Sequence, residues 1–203
     1  MSQHAAVLVI DMANDFVYPG GTIADAGGPG YQKRAQAIIP PLARLLSAAR
    51  GAGITVVYAT DAHTLKDKEL RKWPPHSMAG THQAEIVDAL TPQPGGGDVV
   101  WGKQTYSPFL NPGFEQMLGE RGITKLYITG LHTDCCARHT SGDAFQRGFD
   151  LVWVTDALQA FTDEAHQAGL GYFEAWYATD AKSQLKTVDE LVEEWGRVPA
   201  GVA

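Results

Sequence analysis

The two cysteines of this chain stand side by side, at Cys135 and Cys136. They follow an apolar run of strand type, Leu126-Tyr127-Ile128, and a turn expected at Gly130. They open a helical run that contains Ala137, Ala144 and Phe145, with Thr133 and Asp134 as candidate caps, both oxygen-bearing types favoured at that position. A thiol at a helix N-terminus feels the positive end of the macrodipole and the unpaired backbone N–H groups, and both favour the thiolate. The same N–H groups can hold the oxyanion that follows nucleophilic attack. Strand, tight turn and cysteine therefore read as a nucleophile elbow. The competing reading is a pair of small apolar core fillers, the common role of free cysteine.

Charged residues elsewhere bear on that choice. Asp11 and Asp61 each end an apolar run, and Lys103 lies just past a third. A carboxylate can take a thiol proton, and an ammonium favours both thiolate and carboxylate, so the three residue types make a unit for acyl transfer. His139, three residues after Cys136, lies further down the helix and reads as a packed or surface histidine. Neither a GxSxG nor a P-loop is present, and no GxGxxG follows a strand. Asp61-Ala62-His63 is a second constellation, since alternate residues of an extended segment point the same way. His76 supplies a third donor, and a carboxylate with two imidazoles suits Zn, Fe or Mn. A solvated polar loop is the alternative there.

These residues need elements to carry them. Apolar runs at 5–10, 54–60, 98–101, 126–129 and 151–154 read as strands, with a sixth at 183–187. Helical patterns cover 33–52, with its regular part from Pro40, and also 84–90, 114–119 and 163–178. Thr187-Val188-Asp189-Glu190 fits a capping box for a last helix. The Pro/Gly-rich stretch 19–30 reads as a loop. Strands alternating with helices imply an α/β fold, a three-layer α/β/α arrangement on a parallel sheet of about six strands. Sites in such sheets lie beyond the carboxyl ends of the strands, where Asp11, Asp61, Lys103 and the Cys136 turn all fall.

The 203 residues suit one domain, 1–203. A net charge of -7 argues against nucleic-acid and anionic-membrane partners, which need basic patches. Adjacent cysteines cannot make a long-range disulfide framework, so a reducing compartment, the cytoplasm, is expected. The start MSQHAAVLVIDM carries no basic n-region, and its apolar run is interrupted by Asp11. Homo-oligomerisation stays open.

VIDMANDF at 9–16, TDAH at 60–63, WPPHSMAGT at 73–81, GKQTYSPF at 102–109 and GLHTDCCARHTSGDA at 130–144 occur together in this order. The chain so resembles the isochorismatase-like cysteine hydrolases, and within them the nicotinamidases. The resemblance implies the isochorismatase-like hydrolase fold and a catalytic set of Asp11, Lys103 and Cys136. The resemblance makes Cys136 the expected nucleophile, since it fills the last position of the family's T-D-x-C and Cys135 the variable one. It implies a cis peptide at Leu131–His132 and an oxyanion hole of the His132 and Cys136 N–H groups. It implies Asp61, His63 and His76 as ligands of a divalent transition metal, Zn with Fe or Mn as alternatives, and Phe16 and Trp73 as aromatic walls around a pyridine ring. The implied reaction is hydrolysis of a small-molecule amide, nicotinamide, through a thioester on Cys136. The sequence departs from the nicotinamidase pattern at Ala13, Ser77 and His132, which leaves other small amides and ureido or N-carbamoyl compounds as the alternative.

Overall fold

The computed structural model describes residues 4–179 and 183–196. Six parallel strands form one sheet: β1 (Ala5–Ile10), β2 (Thr55–Asp61), β3 (Val99–Lys103), β4 (Lys125–Leu131), β5 (Asp150–Gln159) and β6 (Gln184–Lys186). Their spatial order is β3-β2-β1-β4-β5-β6. The chain runs outward from β1 to one edge, then returns to β4 and runs to the other. The switch of direction therefore falls between β1 and β4, the place where open sheets bind ligands.

The helices are α1 (Asn14–Val17), α2 (Thr22–Ala37), α3 (Ile39–Gly51), α4 (Phe114–Glu120), α5 (Cys136–Gln146), α6 (Asp163–Trp176) and α7 (Val188–Gly196). The side-chain alternation of β1 separates two cores. Val7 and Val9 pack with Tyr31, Leu42, Leu45 and Trp195 on the face covered by α2, α3 and α7. Leu8 and Ile10 pack with Phe114, Leu118, Ala137 and Phe173 on the face covered by α4, α5 and α6. β1 is buried along its whole length, as a strand covered on both faces must be. Among the described residues no helix is long and apolar enough to cross a membrane.

Several local expectations are corrected. The stretch 19–30 is not all loop: α2 begins at Thr22, and Gly28, at φ 72°, breaks it into two helical pieces. Ile23, Ala24 and Tyr31 give it a buried face that outweighs its glycines. Residues 84–90 form no α-helix. Two 3₁₀ turns, His82–Ala84 and Asp88–Leu90, flank a bridge of Ile86 to Ala13. Gly130 lies inside β4, not at a turn, with φ 96°, and a Cβ there would stand 2.0 Å from the Ile10 carbonyl oxygen. The capping box at α7 is present, with the Thr187 N–H donating to Glu190 Oε2 at 2.7 Å and the Glu190 N–H to Thr187 Oγ1 at 3.3 Å.

Candidate active site

Four strand ends meet at the switch point. Asp11 follows β1 directly. Its φ of 49° puts a non-glycine residue in the left-handed region, a rare conformation that the surroundings must impose. Its N–H donates to Ala59 O at 3.1 Å, and its Oδ1 accepts the Asp61 N–H at 3.0 Å. Lys103, the last residue of β3, sends a fully buried ammonium between two carboxylates, 2.8 Å from Asp11 Oδ2 and 2.5 Å from Asp61 Oδ1. Cys136 Sγ lies 3.9 Å from the same nitrogen. The structure thus brings Asp11, Lys103 and Cys136 together.

Their electrostatics follow from burial and from one another. Burial, then the nearby Asp61 charge, raises the Asp11 carboxyl to about 7 against the pull of Lys103. Burial opposes charge on Lys103, yet Asp11 and Asp61 outweigh it and hold the ammonium well above its ordinary range. The same balance, with Lys103 as the attractive partner, keeps Asp61 below the usual carboxylate range. The contact between the two thiols pushes Cys136 up and draws Cys135 down; burial and Asp11 push Cys136 up further, and Lys103 acts the other way. The balance at Cys136 thus favours its thiol form, with the Asp11 carboxyl, raised to about 7, bonded beside it. Such matching of base to operating pH is what proton transfer requires.

The turn before α5 differs from the expected cap. Neither Thr133 nor Asp134 caps the helix; Cys135 holds the N-cap position, with no side-chain cap bond. Thr133 Oγ1 is instead bonded to His166 Nδ1 of α6 at 2.8 Å. The peptide between Leu131 and His132 is cis. The N–H groups of Cys135 and Ala137 both donate to His132 O, which ties the first helical turn to that residue. His139 is exposed, with Nδ1 2.8 Å from Cys135 O.

Cys136 opens on a cavity of about 190 Å³ whose walls include Phe16, Trp73, His132, Phe161 and Ile23. Phe16 meets His76 edge to face at 6.0 Å. Trp73 lies nearly parallel to Phe161, with centroids 6.1 Å apart, and its Nε1–H donates to Tyr106 Oη at 3.3 Å. Phe161 had no sequence signal of its own, and Tyr106 stood in the GKQTYSPF motif without an assigned role; each enters the cavity from a connection after a strand end.

Beside the cavity, Asp61 Oδ2 is 3.4 Å from His63 Nε2 and 3.5 Å from His76 Nε2. Glu69, which the sequence reading missed, joins them, its Oε1 3.8 Å from His76 Nε2; the donor atoms of all four lie within 4.8 Å of one another. Asp61 Oδ2 and His63 Nε2 are buried without a hydrogen-bond partner, a condition that a cation relieves. Each imidazole is aimed from behind: His63 Nδ1 lies 3.3 Å from Asp67 Oδ2, and His76 Nδ1 lies 2.9 Å from Pro74 O. The residues present fit a divalent transition metal with nitrogen and carboxylate ligands.

Fold and site together define an α/β protein with a buried Asp11, Lys103 and Cys136 cluster at the switch point of its sheet. The isochorismatase domain model matches residues 5–183, and the chain belongs to that family. A ureidoacrylate amidohydrolase, RutB, of Methylobacterium radiotolerans is 30% identical over 221 residues, which span 96% of this chain and 82% of that protein. Among solved structures, N-carbamoylsarcosine amidase from Thermoplasma acidophilum aligns with a TM-score of 0.79 at 31% identity, over 91% of this chain and 96% of that one. Nicotinamidase PncA from Bacillus subtilis aligns with a TM-score of 0.76 at 30% identity, over 90% and 99%.

Proposed function

We propose that this protein hydrolyses nicotinamide to nicotinate and ammonia, with Cys136 as nucleophile. The observation that carries the reading is the Asp11–Lys103–Cys136 cluster opening on an aromatic-walled cavity with the Asp61, His63, Glu69 and His76 donors beside it. Asp11 takes the Cys136 proton as sulfur attacks the carboxamide carbon. Lys103 stays protonated and holds Asp11 in place. The N–H groups of His132 and Cys136 hold the oxygen as it gains charge. Asp11 returns the proton to the departing nitrogen, and ammonia leaves a thioester. Asp11 then takes a proton from water as it attacks the thioester carbon, and returns that proton to the Cys136 sulfur as it leaves and the acid forms. Phe16 and Trp73 flank the ring. A metal held by Asp61, His63, His76 and Glu69 would supply a Lewis acid beside the substrate.

A ureido or N-carbamoyl substrate is the second reading, favoured by the likeness to the ureidoacrylate and N-carbamoylsarcosine enzymes. Ammonia release over nicotinamide, an aliphatic amide and ureidoacrylate, with metal analysis of the same sample, separates the two. Turnover of nicotinamide above the others is expected. Protein that ignores nicotinamide and hydrolyses ureidoacrylate would overturn the first reading and leave the cysteine chemistry intact.

A further inference from the structure

The reaction described above uses the backbone of His132 and gives its side chain no task. That ring is buried, forms part of the cavity wall, and lies flat on Phe161 with centroids 4.3 Å apart and planes at 19°. Its Nε2 is 2.7 Å from Tyr31 Oη. Tyr31 is fully buried, and this is its hydroxyl's one hydrogen bond among the described residues. A buried hydroxyl needs an acceptor for its hydrogen, and Nε2 is the acceptor in reach. A nitrogen that accepts carries no hydrogen, so a neutral imidazole here has its hydrogen on Nδ1. The ring is neutral because burial pushes its pKa down to about 3. Among the described residues Nδ1 has no hydrogen-bond partner, yet it is not among the buried unpartnered atoms, so it keeps accessible surface on the ring that lines the cavity.

We propose that His132 is a specificity-determining residue, donating from Nδ1–H to an acceptor on the body of the substrate, apart from the carbonyl oxygen held by the backbone. Tyr31 is the positioning residue that fixes the tautomer. The site then favours flat amides that carry a further acceptor, either a second ring nitrogen or the carboxyl oxygen of a ureido or carbamoyl compound. This rests on the amidohydrolase reading of the site, and it does not require nicotinamide to be the substrate.

Two measurements test it. In ¹⁵N-labelled protein, long-range ¹H–¹⁵N correlation should show His132 as the Nδ1–H tautomer, and Tyr31→Phe should weaken that preference. In kinetics, wild type is compared with the His132→Phe/Tyr31→Phe double variant on benzamide, pyrazinamide and ureidoacrylate. The double variant keeps a ring on Phe161 and leaves no buried hydroxyl unpartnered, so its Tm should stay near that of wild type. Its kcat/KM should fall about tenfold or more on the substrate with the matching acceptor, the loss expected of a missing buried hydrogen bond. Benzamide makes no such bond and reports what the ring change itself does to the site, so the loss on the matching substrate should exceed the loss on benzamide by about tenfold. An excess loss confined to pyrazinamide identifies a ring nitrogen, and one confined to ureidoacrylate identifies a carboxyl oxygen. An Nε2–H tautomer, or equal losses on all three amides, would overturn the inference while leaving the amidohydrolase reading in place. Wild type that hydrolyses none of the amides would overturn that reading, and with it the substrate half of the inference.

Discussion

Cys135 and Cys136 are neighbours in sequence and differ in surroundings. Cys136 is buried against Lys103, while Cys135 is half-buried on the side of His139. Cys136→Ala should abolish turnover, and Cys135→Ala should leave most of it, measured as ammonia release on the best amide. Comparable losses would mean that the pair acts as one unit. Trp73 offers a second residue-scale test. Aromatic contacts contribute about 0.5–1.5 kcal/mol beyond area burial. Trp73→Ala should therefore raise KM for a ring amide by roughly tenfold, each 1.4 kcal/mol being a factor of ten, with an aliphatic amide little affected. His132 carries a pH signature. Its native pKa of about 3 lies below the ordinary 6.5, so below pH 6.5 the unfolded chain takes up a proton that the native state refuses. Its contribution to stability is whole above that pH and is lost as pH falls towards 3. Between pH 7 and 4.5 the Tm of wild type should fall more steeply than that of the His132→Phe/Tyr31→Phe variant.

At the scale of elements, α6 braces the turn that carries Cys136. A Cβ on Gly169 would stand 2.8 Å from Thr133 Cγ2, and Thr133 is also tied to His166. Gly169→Ala should thus push the turn and lower kcat by more than the loss of stability explains; overpacking of this kind costs about 1–3 kcal/mol. An unchanged kcat would show that the turn absorbs the shift. The strands were legible because β1 and β2 are continuous apolar runs that no helix period fits, and Asp11, Asp61 and Lys103 stood out as charges at their ends. α2 was hidden by Gly27, Gly28 and Pro29, whose local signal is a loop, while the buried side chains that hold the helix in place meet their partners only in the fold. Glu69 stayed invisible for a similar reason. It looks like one charge in a polar stretch, Lys66 to Lys72, until the loop folds it towards His76. Thr133 read as a cap because its type suits one, and a histidine from α6 claimed its oxygen.

For the whole molecule, the cluster of Asp61, His63, Glu69 and His76 joins the end of β2 to the loop that follows, where the regular structure is a single 3₁₀ turn, Lys68–Arg71, and a bridge of His63 to Met78. Binding to the native state alone stabilises it by RT ln(1 + [L]/Kd), about 2.7 kcal/mol at a hundredfold excess over Kd. Adding Zn²⁺ or Mn²⁺ to chelator-stripped protein should raise Tm, and His63→Ala should remove that rise. A Tm indifferent to either metal in wild type would refute the site.

The reversal of chain direction between β1 and β4 shares the residues of the proposed site between the two halves of the sequence. Asp11, Phe16, Asp61 and His76 precede the exposed glycines Gly95, Gly96 and Gly97, while Lys103, His132, Cys136 and Phe161 follow them. A backbone cut at that glycine run leaves β1 and β2 on one fragment and β3 to β6 on the other, and each fragment holds part of the proposed site. Neither should release ammonia alone. Turnover should reappear only when the halves are mixed and β1 docks between β2 and β4, which makes this hydrolase a natural candidate for a split reporter.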